Sequence, residues 1–460
     1  MPGRQRPQLS HGTAAISLPA TLRTIPRDQH NLSRKDMSPN ALRVLYRLRD
    51  AGFQGYLVGG AVRDLLVGGH PKDFDVATDA TPEQVKQLFR NCRLIGRRFR
   101  LAHVVFGREI IEVATFRANV DDGSGDREMD NGRLVRDNVY GSIEDDAVRR
   151  DFTANALYYA IEDFSIRDYT GGFEDVIART LKLIGDPEQR YREDPVRMLR
   201  AVRLAAKLDF EIEAATAEPI ARLADLLADA APARLFEEIL KLFLSGHAVA
   251  SFEGLERFGL LQALLPETAT ALAANRSGAL RRMLLEGLRG TDQRVANDEP
   301  VSPSFLFALL LWPAYCRALM ALQNQGVHVE EAQRRAADRV TLHQLDTVAL
   351  PRRFSLPMQE IWLMQSRFGN RQRKRVLRLL GHPRFRAAFD FLVLRLTASS
   401  EHADDVAFWR EAQLQSADEL AGHLASAPAA GEEGSEEEGS DGAPRRRRRR
   451  RRRGAGAGTE

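Results

Sequence analysis

An α/β head followed by an all-α helical neck and body, with disordered termini, is the architecture this sequence predicts. Three observations carry it. Short Val- and Ile-rich segments alternate with short helical ones between residues 53 and 120. From about residue 185 strand signals fade, and apolar residues recur at the helical period. Both ends depart from globular composition. Residues 1–35 show no clear period and carry Pro, Gly, Gln and Ser; residues 445–453 are nine consecutive arginines behind an acidic run from Glu432 to Asp441.

The elements follow in order. Ser38 is placed to cap a first helix, Pro39 suits its first position, Leu42, Leu45 and Leu48 share a face, and Gly52 stops it. Tyr56-Leu57-Val58 is a short strand running into Gly59-Gly60, and Ala61 to Val67 reads as a short helix. Asp73 to Val76 is a strand with alternating faces, and Thr81-Pro82-Glu83 opens a helix to about Phe89. Ala102–Phe106 and Glu109–Thr115 are strands, whereas Gly, Asp and Asn between Asp121 and Asn138 predict an exposed loop. Phe236, Ile239, Leu240 and Phe243 form a core-facing stripe that Gly246 closes, with Glu237 and Lys241 as a surface pair. The boundaries implied are a largely disordered extension (1–35), a head (36–180), a helical neck (181–260), a helical body (261–425) and a disordered acidic then Arg-rich tail (426–460).

Composition narrows the function classes. A hydrophobic fraction of 43% over 460 residues supports sizeable cores. Two cysteines exclude a disulfide scaffold and suggest a reducing, cytoplasmic setting. The longest apolar run, Phe305 to Trp312, falls far short of the about 20 residues a bilayer span needs, so no membrane span is expected. Net charge is only +4, but the arginine block suits a polyanion, nucleic acid first.

The chemistry concentrates in the head. Asp73 and Asp75 flank Phe74, so on a strand both carboxylates share one face while the ring turns to the core. Such a pair suits Mg²⁺, which prefers hard oxygen ligands and leaves room for phosphate oxygens. Just upstream, Gly59, Gly60 and Arg63 form a strand-to-helix turn with backbone N–H groups and a charged fork suited to phosphate. Two candidates exist for a third carboxylate: Glu112, on a strand among Ile110, Ile111 and Val113, and Asp151, after Arg149-Arg150. Farther on, Pro195 starts a helix with Asp194 as its cap, and Asp194, Arg197, Arg200 and Arg203 make a polar stripe opposite Met198, Leu199, Val202 and Ala205.

Five segments, Gly59 to Asp64, Asp73-Phe74-Asp75, Arg149 to Leu157, Asp168 to Asp175 and Glu193 to Arg203, stand in the order of the class II nucleotidyltransferases, and over roughly residues 25–400 the chain resembles their bacterial poly(A) polymerase branch. Ile25 to His30, Ser33 to Asp36, Arg97 to Val104 and Pro383 to Ala388 carry the closer likeness. The resemblance implies a polymerase-β-like nucleotidyltransferase head. It implies that Asp73 and Asp75 hold two Mg²⁺ ions, with Asp151 as the third catalytic acid; Glu112 stays its competitor because its strand context fits. Gly59, Gly60, Arg63 and Arg150 would contact the triphosphate. Asp194 and Arg197 would face the incoming base, while Arg200 and Arg203 would support the phosphates or hold the helix.

The activity so implied is template-independent addition of AMP from ATP to RNA 3′ ends, promoting RNA processing and decay. A CCA-adding tRNA nucleotidyltransferase shares all five motifs. The alternative from another class is an inactive RNA-binding scaffold. Arg371, Arg373, Lys374 and Arg375, late in the body, are candidates to track a single strand of RNA. Protein partners cannot be read from the sequence.

Overall fold

The computed structural model describes residues 21–96, 100–118, 127–130, 133–137, 139–415 and 419. The expectations for residues 1–20 and for the 426–460 tail lie outside them. The head is built on an eight-stranded mixed sheet. Its strands are β1 (Arg23–Ile25), β2 (Gly55–Val58), β3 (Asp75–Thr78), β4 (Cys92–Ile95), β5 (Leu101–Phe106), β6 (Glu109–Thr115), β9 (Leu157–Ala160) and β10 (Ile166–Asp168), while β7 (Arg127–Asp130) and β8 (Arg133–Asp137) form a separate hairpin. The order across the sheet is β1-β10-β9-β2-β3-β6-β5-β4, with β3 and β6 parallel and the other neighbours antiparallel.

Helices cover both faces. On one, α1 (Pro39–Asp50) packs Val44, Leu45 and Leu48 against the side carrying Leu57, Val76 and Val113. Its start is as the sequence predicts: the Ser38 hydroxyl accepts from the Asn40 and Ala41 N–H groups, with Pro39 in the first turn. The second helix, α2 (Gly60–Leu66), buries Val62 and Leu65 in the same core. α3 (Pro82–Leu88) opens with a capping box between Thr81 and Gln84. On the other face, α4 (Ile143–Arg149) packs Ile143 and Ala147 against Val58, Ala77, Phe116 and Tyr158. α5 (Gly172–Ile177) closes the head; an added Cβ on Gly172 would run into the Thr153 carbonyl, so only glycine fits there.

Two expectations need correction. Residues 21–35 are ordered: β1 pairs with β10, and Ile25 and Leu32 are each 1% exposed within the head core. Two apolar anchors and one edge strand suffice to dock the segment, and neither leaves a periodic signal. The loop expected between Asp121 and Asn138 contains the β7–β8 hairpin.

The neck and body are helical, as expected, apart from a two-stranded parallel pairing of β11 (Thr180–Leu181) with β12 (Glu211–Ile212). The neck holds α6 (Pro187–Glu193), α7 (Val196–Leu208), α8 (Ala214–Leu223) and α9 (Pro232–Phe243). α10 (Ala248–Arg257) ends the neck, and the helices from there through α20 (Ala403–Ala412) make the body. Gly254 lets α10 approach α7 closely, since a Cβ there would stand 2.7 Å from Val202 Cγ1. Lys241 on α9 pairs with Glu238 at 3.1 Å, not with Glu237 as the spacing suggested. No single described helix is long and apolar enough to cross a membrane. One bent pair, α14 (Pro303–Leu310) with α15 (Trp312–Asn324), passes on composition alone, and Leu306 to Leu311 of that pair are buried in the body core.

Candidate active site

The strand pairing sets the site. Asp75 opens β3, and its partner across the parallel ladder is Glu112 on β6. Residues directly opposite in a sheet share a face, so these two carboxylates sit side by side. Asp73 lies two residues before Asp75, just outside the regular strand. The alternation holds there all the same, with Phe74 7% exposed between two exposed aspartates. His103 on β5 completes the row, with Nε2 3.4 Å from Glu112 Oε1.

The Asp75 carboxyl is pushed up to about 6 from an ordinary 3.8, by desolvation first and then by the Glu112 charge, with Arg150 opposing and Asp73 adding. The side chain is exposed on the head, and neighbouring protein nonetheless strips part of its water. Among the described residues, no three His, Cys, Asp or Glu side chains converge tightly enough to make a ready metal nest.

Beside the carboxylates lies the glycine turn. Gly59 has φ +75°, which favours glycine, and a Cβ there would stand 3.5 Å from Arg150 Nη1. The Arg150 guanidinium is fixed behind this turn. Its Nε donates to Tyr158 Oη at 2.9 Å and its Nη2 to Asp146 Oδ2 at 3.0 Å, while Tyr158 Oη donates to the same Asp146 oxygen at 2.7 Å. Arg63 is more deeply held, at 3% exposure. Its Nε and Nη2 donate to Asp64 Oδ1 at 2.9 and 2.6 Å, and Nη1 donates to Asn155. Arg63, expected to meet the triphosphate, has its fork engaged by Asp64 and Asn155 in this structure.

Asp151 also departs from expectation. Its carboxylate accepts from both Nε (2.8 Å) and Nη2 of Arg200 on α7, from Asn155 Nδ2 at 3.0 Å and from the Phe152 N–H at 2.8 Å. Burial pushes this carboxyl up, but Arg200 and the other donors outweigh it and hold it below the ordinary carboxylate range. Asp151 is thus ion-paired to Arg200 in this structure, and Glu112 is the carboxylate in register with Asp75. Side-chain type and strand context left the two open; the pairing register favours Glu112 as a neighbour of Asp75.

The stripe on α7 divides into two roles. Asp194, at the junction of α6 and α7, accepts from the Val196 N–H at 3.2 Å, and both its oxygens take the Arg234 fork from α9 at 2.8 and 2.7 Å. Arg197 Nη1 donates to the Arg190 carbonyl at 2.7 Å and to Glu193 at 3.1 Å. Arg200 and Arg203 hold the helix: Arg200 through Asp151, and Arg203 through buried Glu238, with Nε 3.3 Å from Oε2. Lys207 adds a link to Asp64 at 3.2 Å.

Sequence reasoning missed Arg190 and Arg234. Arg190 donates to the carbonyls of Arg149 and Arg150 at 2.9 and 2.6 Å and so ties the neck to the loop behind the cradle. Both act on residues about 40 positions away, and no local pattern marks them. Asp168, in the fourth segment, is 1% exposed and accepts from the N–H groups of Thr170, Gly171, Gly172 and Phe173 at 2.9 to 3.1 Å, so it locks a turn. In the body, α18 (Arg373–Leu380) exposes Arg373, Lys374 and Arg375, while Arg371 lies 3.6 Å from Asp405 and over the Phe408 ring.

Comparison with known proteins agrees with this geometry. Residues 55–182 match a family model described as the poly A polymerase head domain, 209–272 one described as a probable RNA and SrmB-binding site of polymerase A, and 325–453 one described as the polymerase A arginine-rich C-terminus. The chain is 50% identical over 407 residues to poly(A) polymerase I of Salmonella typhimurium, covering 87% of this chain and 88% of the relative. It is 49% identical over 422 residues to poly(A) polymerase I of Escherichia coli O157:H7, covering 90% of each. A CCA-adding enzyme of Lactobacillus helveticus is 38% identical over 219 residues, 47% of this chain. The crystal structure of the Bacillus stearothermophilus CCA-adding enzyme in complex with CTP superimposes with a TM-score of 0.53 at 25% identity, covering 85% of this chain and 82% of that one. The chain therefore belongs to the bacterial poly(A) polymerase I family of nucleotidyltransferases, with the CCA-adding enzymes as more distant relatives.

Proposed function

We propose that the site transfers AMP from ATP to the 3′-hydroxyl of single-stranded RNA, without a template, and releases pyrophosphate. The observation that carries this reading is the register of Asp75 with Glu112, beside Asp73 and next to the Gly59 turn. The donor set fits Mg²⁺: hard carboxylate oxygens, and an Asp75 carboxyl whose ionisation is opposed by a neighbouring like charge that a cation would relieve. Asp73 and Asp75 would hold the ions, with Glu112 as the third carboxylate. Bound there, Mg²⁺ supplies charge for the triphosphate and lowers the pKa of the attacking hydroxyl.

The chain's own groups do the rest. The Gly59-Gly60 turn admits a triphosphate to the start of α2, where no Cβ intrudes on the backbone. Arg150, fixed by Asp146 and Tyr158, adds positive charge behind that turn. Arg200 on Asp151, Arg190 on the 149–150 carbonyls and Lys207 on Asp64 set α7 at a fixed distance from the carboxylates. In this reading Asp194, oriented by Arg234, and Arg197 face the base of the incoming nucleotide. RNA is held by the sequence-tolerant basic surface around Arg371, Arg373, Lys374 and Arg375 and by the segment 209–272. An RNA substrate suits the cytoplasmic location expected from the cysteine content.

The test offers purified protein ATP or CTP with a generic RNA 3′ end or with a tRNA lacking its terminus. Long tails from ATP alone support the reading. CTP addition to the tRNA would replace it with CCA addition.

A further inference from the structure

A cavity of about 360 Å³ lies on the head, away from the carboxylates. Its walls come from the ordered segment that precedes α1, from α1 itself and from the connection between β9 and β10. Its position follows from the sheet. Tyr158 pairs with Val58, and Val58 with Asp75, so those three side chains share the catalytic face. Tyr159 is the next residue on β9 and projects from the opposite face, where it floors the cavity.

The lining has one sign of charge. Arg27, Arg34 and Lys35 contribute three cations, and no carboxylate lines the cavity. Arg27 Nη1 donates only to the His30 carbonyl, at 2.8 Å, among the described residues, and the Lys35 ammonium makes no hydrogen bond or ion pair among them. Arg34 donates to Tyr46 Oη at 2.7 Å and lies 4.5 Å over the Phe164 ring. Burial raises the Tyr159 phenol, and Arg34 and Arg27 are the charges that pull against it. Phe164 is held at φ +60°, an uncommon conformation for an aromatic residue, and that turn sets its ring at the cavity wall. Two cations with no acidic partner among the described residues, in a cavity also lined by aromatic rings, are the combination that takes a phosphate and a base together.

We propose that this cavity is a second nucleotide site, independent of the catalytic one: a phosphate lies on Arg27 and Lys35, and a base lies against Phe164 and Tyr46. The nucleotide comes either free or as one unit of an RNA strand, and the chemistry is shared.

The experiment is photocross-linking to the full chain in EDTA, followed by mass-spectrometric mapping. One arm uses 8-azidoadenosine 5′-monophosphate; the other uses a single strand carrying 4-thiouridine. Adducts are expected on the peptides holding Tyr46 or Phe164, competed by unlabelled nucleotide. In an Arg27→Ala/Lys35→Ala variant, apparent affinity at those peptides should fall at least about tenfold, the effect of losing one charge-assisted contact. Both residues are exposed, so the melting temperature should not move. Labelling by the mononucleotide alone identifies a free nucleotide as occupant; labelling by the strand alone identifies RNA. Adducts confined to the catalytic head peptides, or unchanged in the double variant, would overturn the proposal.

Discussion

Asp75 and Glu112 stand opposite each other on adjacent parallel strands, and the Glu112 charge opposes ionisation of Asp75 while Arg150 favours it. The Asp75 carboxyl titrates near 6 in this setting, above its ordinary 3.8. A carboxyl raised on folding binds more protons folded than unfolded, so stability falls as pH rises from about 4 through about 6. Without divalent ions, Glu112→Gln should therefore move the Asp75 titration downward and make the chain more stable at pH 7 than the parent. The same change should raise the Mg²⁺ concentration needed for activity. Carboxyl titration by NMR and melting in EDTA check it; a parent-like titration in the variant would contradict it.

Asp151 should behave in the opposite way. Its carboxyl is held below the ordinary range, so its stabilisation is complete above about pH 4 and lost as pH falls through the lowered value. Asp151→Asn should cost about 2 kcal/mol at pH 7, the scale of hydrogen bonds to a charged group, and flatten the acid arm of the stability curve. Its Mg²⁺ requirement should match the parent. A shifted metal requirement with unchanged stability would restore Asp151 as a metal ligand.

Gly172→Ala tests the turn that Asp168 locks. An added methyl meets the Thr153 carbonyl, a backbone atom that cannot step aside. The expected loss is about 2 kcal/mol, typical of forced overpacking, seen as a lower melting temperature. Gly171→Ala meets nothing within 4 Å but strains φ +81°, and should cost about 1 kcal/mol.

The basic surface of α18 makes an ionic prediction. Arg373, Lys374 and Arg375 are exposed, so a triple alanine variant should fold with parent stability. If all three neutralise phosphates, the log–log slope of single-strand affinity against salt should become shallower by about 2. Removing residues 443–453 should flatten the slope separately. An unchanged slope in either variant removes that segment from the RNA path.

How much of this was legible in the sequence depended on range. The Asp73-Phe74-Asp75 alternation was legible because a strand's two-residue period is local, and it holds although Asp73 sits outside the regular strand. The start of α1 was legible because Ser38 and Pro39 are themselves the cap. The nearness of Glu112 to Asp75 was not, because it comes from the register between β3 and β6, which the sequence alone does not display. The engagement of Arg63 by Asn155, Asp151 by Arg200 and Asp194 by Arg234 was hidden for the same reason: each joins positions 40 or more apart. β1 escaped because a three-residue edge strand carries no period.

The most direct measurement is primer extension with ATP as the sole nucleotide, comparing the parent chain with Asp75→Asn alongside RNA affinity. The parent should build long tails. Asp75→Asn should lose activity on the order of a thousandfold, since several kcal/mol of charge stabilisation depend on that carboxylate, while binding RNA as the parent does. Tails of parent length from Asp75→Asn would contradict the account.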